Sequence, residues 1–161
     1  MNVIRLTCLF FAVCMWQCTV LFHEFLHLTS YYTSVTNQKQ TTKQMYSAME
    51  ILKKCVSHDV DSIFVCCGGG GMLAGIAAYV KHVRPNVKVY GVEAADAAGM
   101  TASLAAGHVV TLPSVGLFAD GAAVKTIGNE TYRLCSKYVD GMITVDTDQI
   151  CNAIKLAYND A

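Results

Sequence analysis

The 161-residue sequence predicts an α/β protein built on a mainly parallel sheet. Two observations carry that prediction. From about residue 59 onward, short apolar runs of strand length alternate with helical patterns of roughly 10 to 15 residues, and strands separated by helices pair in parallel because each crossover returns over the sheet face. The first of these runs ends in four consecutive glycines that open into a helical pattern, an arrangement in which α/β proteins bind anions.

Residues 1–30 form an apolar leader. Leu6 to Phe22 is an uncharged run of 17 residues interrupted only by Thr7, Gln17 and Thr19, with Arg5 just upstream. The pattern has the basic and apolar regions of a secretory signal, but no small-x-small cleavage site follows. As a membrane anchor the run is at the short limit for a ~30 Å hydrocarbon core. Signal, anchor, packed core helix and sequence foreign to the following domain are all open readings of this segment. Within it, His23-Glu24-Phe25-Leu26-His27 fits the HExxH pattern, in which two histidines one helical turn apart bind zinc and the glutamate acts as base. The nearby sequence offers only His58, with Asp59 and Asp61, as a further ligand, so two histidines at the polar end of an apolar helix are the favoured reading and a zinc hydrolase the lesser one.

Residues 31–41 are polar and aperiodic and read as a linker. Met45, Ala48, Met49, Leu52 and Cys55 or Val56 then recur at helical spacing, which predicts an amphipathic helix from about Thr42 to Ser57 at the head of a domain spanning residues 42–161. Ser62 to Cys67 is a continuous apolar run and reads as a strand buried on both faces. Gly71 to Arg84 is a helix stopped by Pro85, Val87 to Val92 a second strand, Ala98 to Ala106 a short helix and Val109 to Leu112 a weaker extended piece. Ile127 to Tyr138 is another helix, Gly141 to Val145 a strand, and Thr147 to the end a helix capped by Thr147 or Asp146.

Composition narrows the function classes. Hydrophobic residues make up 53% and charged residues 15%, with a mean hydropathy of +0.37, enough apolar surface for a core and unlike a disordered chain. Twelve basic and twelve acidic residues cancel, which argues against nucleic acid or an acidic membrane held by bulk charge. The eight cysteines form no CxxC pair and sit mostly in apolar stretches, as buried free thiols do.

The chemistry concentrates at Gly68, Gly69, Gly70 and Gly71. Without side chains these residues reach positive φ and let successive N–H groups point into one concavity at a helix N-terminus, an anion cradle suited to phosphate. The GxxxxGK[ST] pattern is absent and so is GxGxxG; Glu93 at the end of the next strand keeps a dinucleotide reading open.

Phe64-Val65-Cys66-Cys67-Gly68-Gly69-Gly70-Gly71-Met72-Leu73-Ala74-Gly75-Ile76-Ala77 resembles the phosphate-binding loop of the fold-type II pyridoxal-phosphate enzymes, the tryptophan synthase β-like group. Val89-Tyr90-Gly91-Val92-Glu93 is similar to their next strand, and Val115 to Lys125 closely resembles the matching stretch of the biosynthetic threonine dehydratases, extended by Ile143 to Ile150. The resemblance covers about residues 59–160. It implies a three-layer α/β domain, present incompletely. It further implies that the cofactor is pyridoxal 5'-phosphate, with its phosphate on Gly68, Gly69, Gly70, Gly71 and the Met72 amide, and Gly121 near the cofactor ring. For Glu93 and Asp120 a capping or loop hydrogen bond is at least as good a reading as a catalytic role. The implied reaction turns L-threonine into 2-oxobutanoate and ammonia, in the amino-acid metabolism that serves isoleucine biosynthesis, by a small-molecule enzyme that is cytoplasmic or organellar and commonly oligomeric. A genuine leader would place it in the membrane or the secretory route instead.

That family carries its cofactor on a lysine in a Ser-Phe-Lys-x-Arg-Gly-like motif, followed by a Ser-x-Gly-Asn-His-like substrate loop, and neither occurs between Met1 and Asp59. Lys39, Lys43, Lys53 and Lys54 lie in polar or amphipathic contexts unlike the required one. The expectation is therefore a middle portion of the enzyme, with little activity alone, an open sheet edge and an uncovered apolar face. The alternative is a non-catalytic, membrane-anchored or secreted protein that keeps the cradle for a phosphorylated ligand.

Overall fold

The computed structural model describes residues 60–159. The leader, the HExxH motif, the linker, the amphipathic helix expected over 42–57 and the four upstream lysines lie outside the described residues.

Three parallel strands, β1 (Ser62–Cys66), β2 (Lys88–Ala94) and β3 (Gly141–Val145), form a sheet in the order β1-β2-β3. Helix α1 (Gly71–Val83) connects β1 to β2; α2 (Gly99–Ala106) and α3 (Asn129–Tyr138) precede β3; α4 (Thr147–Asn159) follows it. The register pairs Val65 with Gly91 and Gly91 with Met142. A Cβ at Gly91 would stand 2.5 Å from Met142 Sδ and 2.6 Å from Leu73 Cδ2, so glycine at mid-strand lets α1 and the β3 side chain close over the sheet.

Period-two alternation sorts the sheet into two faces. Ile63, Val65 and Val89 join Leu73, Ile76, Ala77 and Val80 of α1, Met100 of α2 and Cys135 of α3 in the main core. Each large aliphatic side chain buried there contributes about 1.5–3 kcal/mol. On the opposite face Ala94 and Val145 meet Ile150 of α4 in a smaller cluster, which gives helices on both sides of the sheet.

β1 is half-buried and not buried on both faces as its apolar run suggests: Ile63 and Val65 are inside, while Ser62, Phe64 and Cys66 are partly exposed. The difference arises because α1 and α3 cover one face, and on the other Phe64 stacks on Tyr90 at 5.3 Å between ring centroids. The expected extended piece at Val109 to Leu112 is a single antiparallel bridge, Thr111 with Thr126, since Pro113 has no N–H to continue a ladder. Helix α3 starts at Asn129, not Ile127, because Gly128 is extended at its N-cap and Ile127 turns into the core. At α4 the capping residue is Asp146: its Oδ1 accepts from Gln149 N (2.8 Å) and its own N–H donates to Gln149 Oε1 (2.9 Å), a reciprocal cap. Leu117 (78% exposed), Phe118 (52%), Leu156 (54%) and Tyr158 (85%) are large apolar side chains at the surface.

The start of β3 is fixed by a carboxylate. Asp140 accepts from Val89 N (2.7 Å) and pairs with Lys81 Nζ (2.7 Å) of α1 and Lys88 Nζ (3.3 Å) of β2, while its N–H donates to Val89 O (2.9 Å). Partial burial works against its charge, yet the bonds from Lys81, Val89 and Lys88 outweigh it and hold the carboxyl below its ordinary value. A lowered folded-state value means that this stabilisation is complete above the free aspartate value of about 3.9 and disappears as pH falls through the lower folded one. Asp140→Asn is expected to cost about 1–2 kcal/mol near neutral pH, with the gap to wild type narrowing in acid; urea unfolding at pH 7 and pH 3 measures both.

Candidate functional site

The glycine loop joins the end of β1 to α1. Gly70 occupies the left-handed region (φ 83°, ψ −5°) as N-cap, and no side chain caps the helix; its first turn contains no acidic residue. The first intrahelical bond is Ala74 N to Gly70 O at 2.9 Å, so the amides of Met72 and Leu73 precede it and have no acceptor inside the helix. The partial positive charge of a helix N-terminus therefore meets no compensating side chain in that turn. At Gly70 a Cβ would collide with the Met100 methyl and lie 3.3 Å from Thr131 Cβ. At Gly68 it would lie 3.1 Å from Ala122 Cα, whereas at Gly69, which is exposed, it would meet nothing within 4 Å. The loop is thus packed from beneath and from one side, and open above Gly69.

Glu93 is 1% exposed and has a structural task. Its Oε1 accepts from Met100 N (2.8 Å), and its Oε2 from Thr101 N (2.8 Å) and Thr101 Oγ1 (2.7 Å). It caps α2 from seven residues upstream and so delivers Met100 under Gly70. The dinucleotide reading, which needs Glu93 free to meet a ribose, loses its acidic residue to this cap. Two thiols share the space: burial and then the nearby Glu93 charge push Cys67 far above its ordinary value, and the same two causes push Cys135 up to about 12. Both remain S–H groups throughout the physiological range.

Asp120 also acts locally, its Oδ1 accepting from Gly121 N at 2.7 Å. The short 3-10 turn Asp120–Ala122 brings Gly121 beside the glycine loop through the contact between Gly68 and Ala122. The structure therefore gathers Gly68, Gly69, Gly70, Gly71, Met72 and Gly121 at one end of the sheet. Sequence reasoning missed Met100, Thr131 and Cys135, which support the loop from α2 and α3; none carries a motif, and each lies tens of residues away. Among the described residues no group of three or more His, Cys, Asp or Glu is placed to hold a metal ion.

Glu93→Gln exchanges one acceptor oxygen for an NH2 group that faces a backbone donor, and is expected to lower stability by about 1–3 kcal/mol in urea unfolding; unchanged stability would point instead to a role in chemistry. Iodoacetamide at pH 8 is expected to modify the exposed Cys151 and to spare Cys67 and Cys135 until the protein unfolds, as peptide mass mapping can establish.

Comparison with known proteins gives this geometry its context. A family described as pyridoxal-phosphate dependent enzyme matches residues 23–161. The biosynthetic L-threonine dehydratase of Burkholderia multivorans is 57% identical over 113 residues, which is 70% of this chain and 22% of the relative. The mitochondrial threonine dehydratase of Schizosaccharomyces pombe is 51% identical over 112 residues, 70% of this chain and 19% of the relative. Among solved structures, the processed form of threonine deaminase isoform 2 from Solanum lycopersicum superposes with a TM-score of 0.73 at 40% identity, covering 75% of this chain and 35% of that one. The chain thus spans about a fifth of the length of the curated relatives it matches. Matched along most of its length and sharing their parallel α/β fold, this chain belongs to the family of pyridoxal-phosphate dependent enzymes.

Proposed function

We propose that this chain supplies the cofactor-phosphate site of a threonine dehydratase, an ammonia-lyase that converts L-threonine into 2-oxobutanoate and ammonia. The observation that carries the reading is the uncapped N-terminus of α1 behind a loop in which Gly70 has no room for a Cβ. Such a cradle fits a phosphate dianion: its donors are backbone amides, no carboxylate sits in the first helical turn, and the open side at Gly69 admits the ligand. Gly68, Gly69, Gly70, Gly71 and the Met72 amide would hold the phosphate of pyridoxal 5'-phosphate, and Gly121 would lie toward its ring. When bound, the cofactor supplies an electron sink for charge developing at the amino-acid α-carbon. The residues of this chain bind and orient: the amides fix the phosphate, Glu93 fixes α2 beneath the loop, and Asp120 shapes the turn beside it.

The proton transfers of the reaction belong to a lysine in a Ser-Phe-Lys-x-Arg-Gly-like context, and no such segment occurs in these 161 residues. The reading therefore includes little or no dehydratase activity for this chain alone. A small amino-acid substrate, homo-oligomeric assembly, and a cytoplasmic or organellar place are the remaining parts of the proposal. Names of relatives such as the mitochondrial enzyme of fission yeast support the last, and no helix among the described residues is long and apolar enough to cross a membrane.

Pyridoxine 5'-phosphate, which lacks the reactive aldehyde, tests the cradle on the full chain. Equilibrium dialysis is expected to show binding that pyridoxine without phosphate does not match. Gly69→Asp, placed where a side chain meets nothing within 4 Å, is expected to keep the melting temperature and weaken the phosphate ligand about tenfold or more through charge repulsion. Equal binding of both ligands, or an unaffected Gly69→Asp variant, would sink the reading.

A further inference from the structure

Two rows of side chains on the second face of the sheet lie outside both hydrophobic clusters of the described residues. The register sets Phe64 beside Tyr90 and Tyr90 beside Gly141, then Cys66 beside Val92 and Val92 beside Ile143, and alternation turns all of them away from the main core. Phe64 stacks on Tyr90 at 5.3 Å between ring centroids, and the Tyr90 ring lies 3.3 Å from where a Gly141 Cβ would stand, so the aromatic pair spreads across all three strands. Helix α4 takes only the next row, Ala94 and Val145, through Ile150. Of the rest, Ile143 is 39% exposed, whereas Val92 beside it is 4% exposed.

We propose that this face is the docking surface for residues 42–57, laid as a helix antiparallel to β1 over Phe64, Tyr90 and Val92. Three features select this occupant. Its sequence has one apolar side: Met45, Ala48, Met49, Leu52 and Val56 recur at helical spacing, and Lys43, Ser47, Glu50 and Lys54 recur at the same spacing on the opposite side. Only residues 58–61 separate it from β1, and so short a connection returns a helix antiparallel along the strand it feeds. Of the two faces that β1 presents, one is already filled by side chains of α1 and α3, which leaves the face of Phe64 and Cys66. The lengths agree, since a helix over 42–57 measures roughly 24 Å at 1.5 Å per residue and strands rise roughly 3.3 Å per residue. It therefore crosses both rows, shields Val92, and brings its first turn to the end of the sheet that carries the glycine loop. None of this depends on the cofactor reading of that loop.

The full-length chain with the photo-crosslinker p-benzoylphenylalanine in place of Tyr90 tests the docking, and a second protein carries the probe in place of Phe64. The irradiated ketone inserts into a neighbouring C–H bond, its carbon joining the alkyl carbon while its oxygen takes the hydrogen, and peptide mass mapping reads the partner. Adducts are expected on peptides that hold Met45, Met49 or Leu52, within one chain. In a mixture of isotopically heavy and light protein, adducts that join the two kinds of chain would make a second copy the occupant and overturn the proposal. Adducts on residues 1–30, or on α4 with none in 42–57, overturn it as well. If the protein with the probe at Tyr90 does not fold, the one with the probe at Phe64 answers by the same criteria. Leu52→Asp, on the apolar side, is expected to lower the melting temperature by about 5 °C or more, and Ser47→Asp, on the polar side, by less than about 2 °C. Equal shifts would count against the docked face, and should Leu52→Asp fail to fold, the crosslinks decide.

Discussion

The left-handed turn at Gly70 is the constraint on which the site depends. A strand that ends under a helix must reverse its backbone within a few residues, and here the reversal occurs where Met100 and Thr131 leave no volume for a side chain. The requirement is doubled: positive φ alone disfavours any L-residue by roughly 1–2 kcal/mol, and the missing Cβ space forbids the small residues that could otherwise tolerate it. The remaining glycines answer separate demands. Gly68 admits the backbone of the Asp120–Ala122 turn, and Gly69 keeps the entrance clear.

Behind that turn stands a short chain of cause. Glu93 ends β2 as a buried carboxylate, and it is tolerated there because three donors from Met100 and Thr101 satisfy it. By binding those donors it fixes the first turn of α2, and with it the Met100 side chain that fills the space under Gly70. The same carboxylate adds to burial in keeping the Cys67 and Cys135 thiols protonated. One buried negative charge thereby orients a helix, packs the loop and preserves two weak donors facing its carbonyls.

The strands and the long helices were readable from the sequence because each is a local pattern. Gly141 to Val145 and the start of the last helix at Thr147 stand where apolar run and capping chemistry place them. The glycine loop was readable because four glycines between strand and helix have few other uses. What no local pattern carries is the far side of a contact. Asn129 to Tyr138 reads as a helix whatever it packs on, and nothing in its sequence marks Thr131 as the residue that meets Gly69. Burial on one face of β1 is likewise a property of which helices cover the sheet: the run from Ser62 to Cys66 is apolar on both faces, and the structure covers them unequally. Glu93 shows the converse. Its position at a strand end suits a ligand, and only the distances to Met100 and Thr101 reveal a cap.

The way the loop is held bears on how it would act. A flexible tetraglycine would lose backbone entropy on binding, about 1–2 kcal/mol for each residue ordered at that moment. In this fold the ordering has already taken place during folding, because the carbonyls meet Thr131, Cys135 and Ala74, and Gly68 rests on Ala122. Affinity for an anion then depends on amides already aimed, the preorganisation that lets an enzyme spend ligand contacts on orientation. The helices that supply this support, α2 and α3, lie in the same main core as β1, β2 and α1. The glycine-loop end of the sheet and the hydrophobic core are consequently one unit: loosening the core at Met100 or Cys135 would loosen the loop itself, even at positions far from its open side.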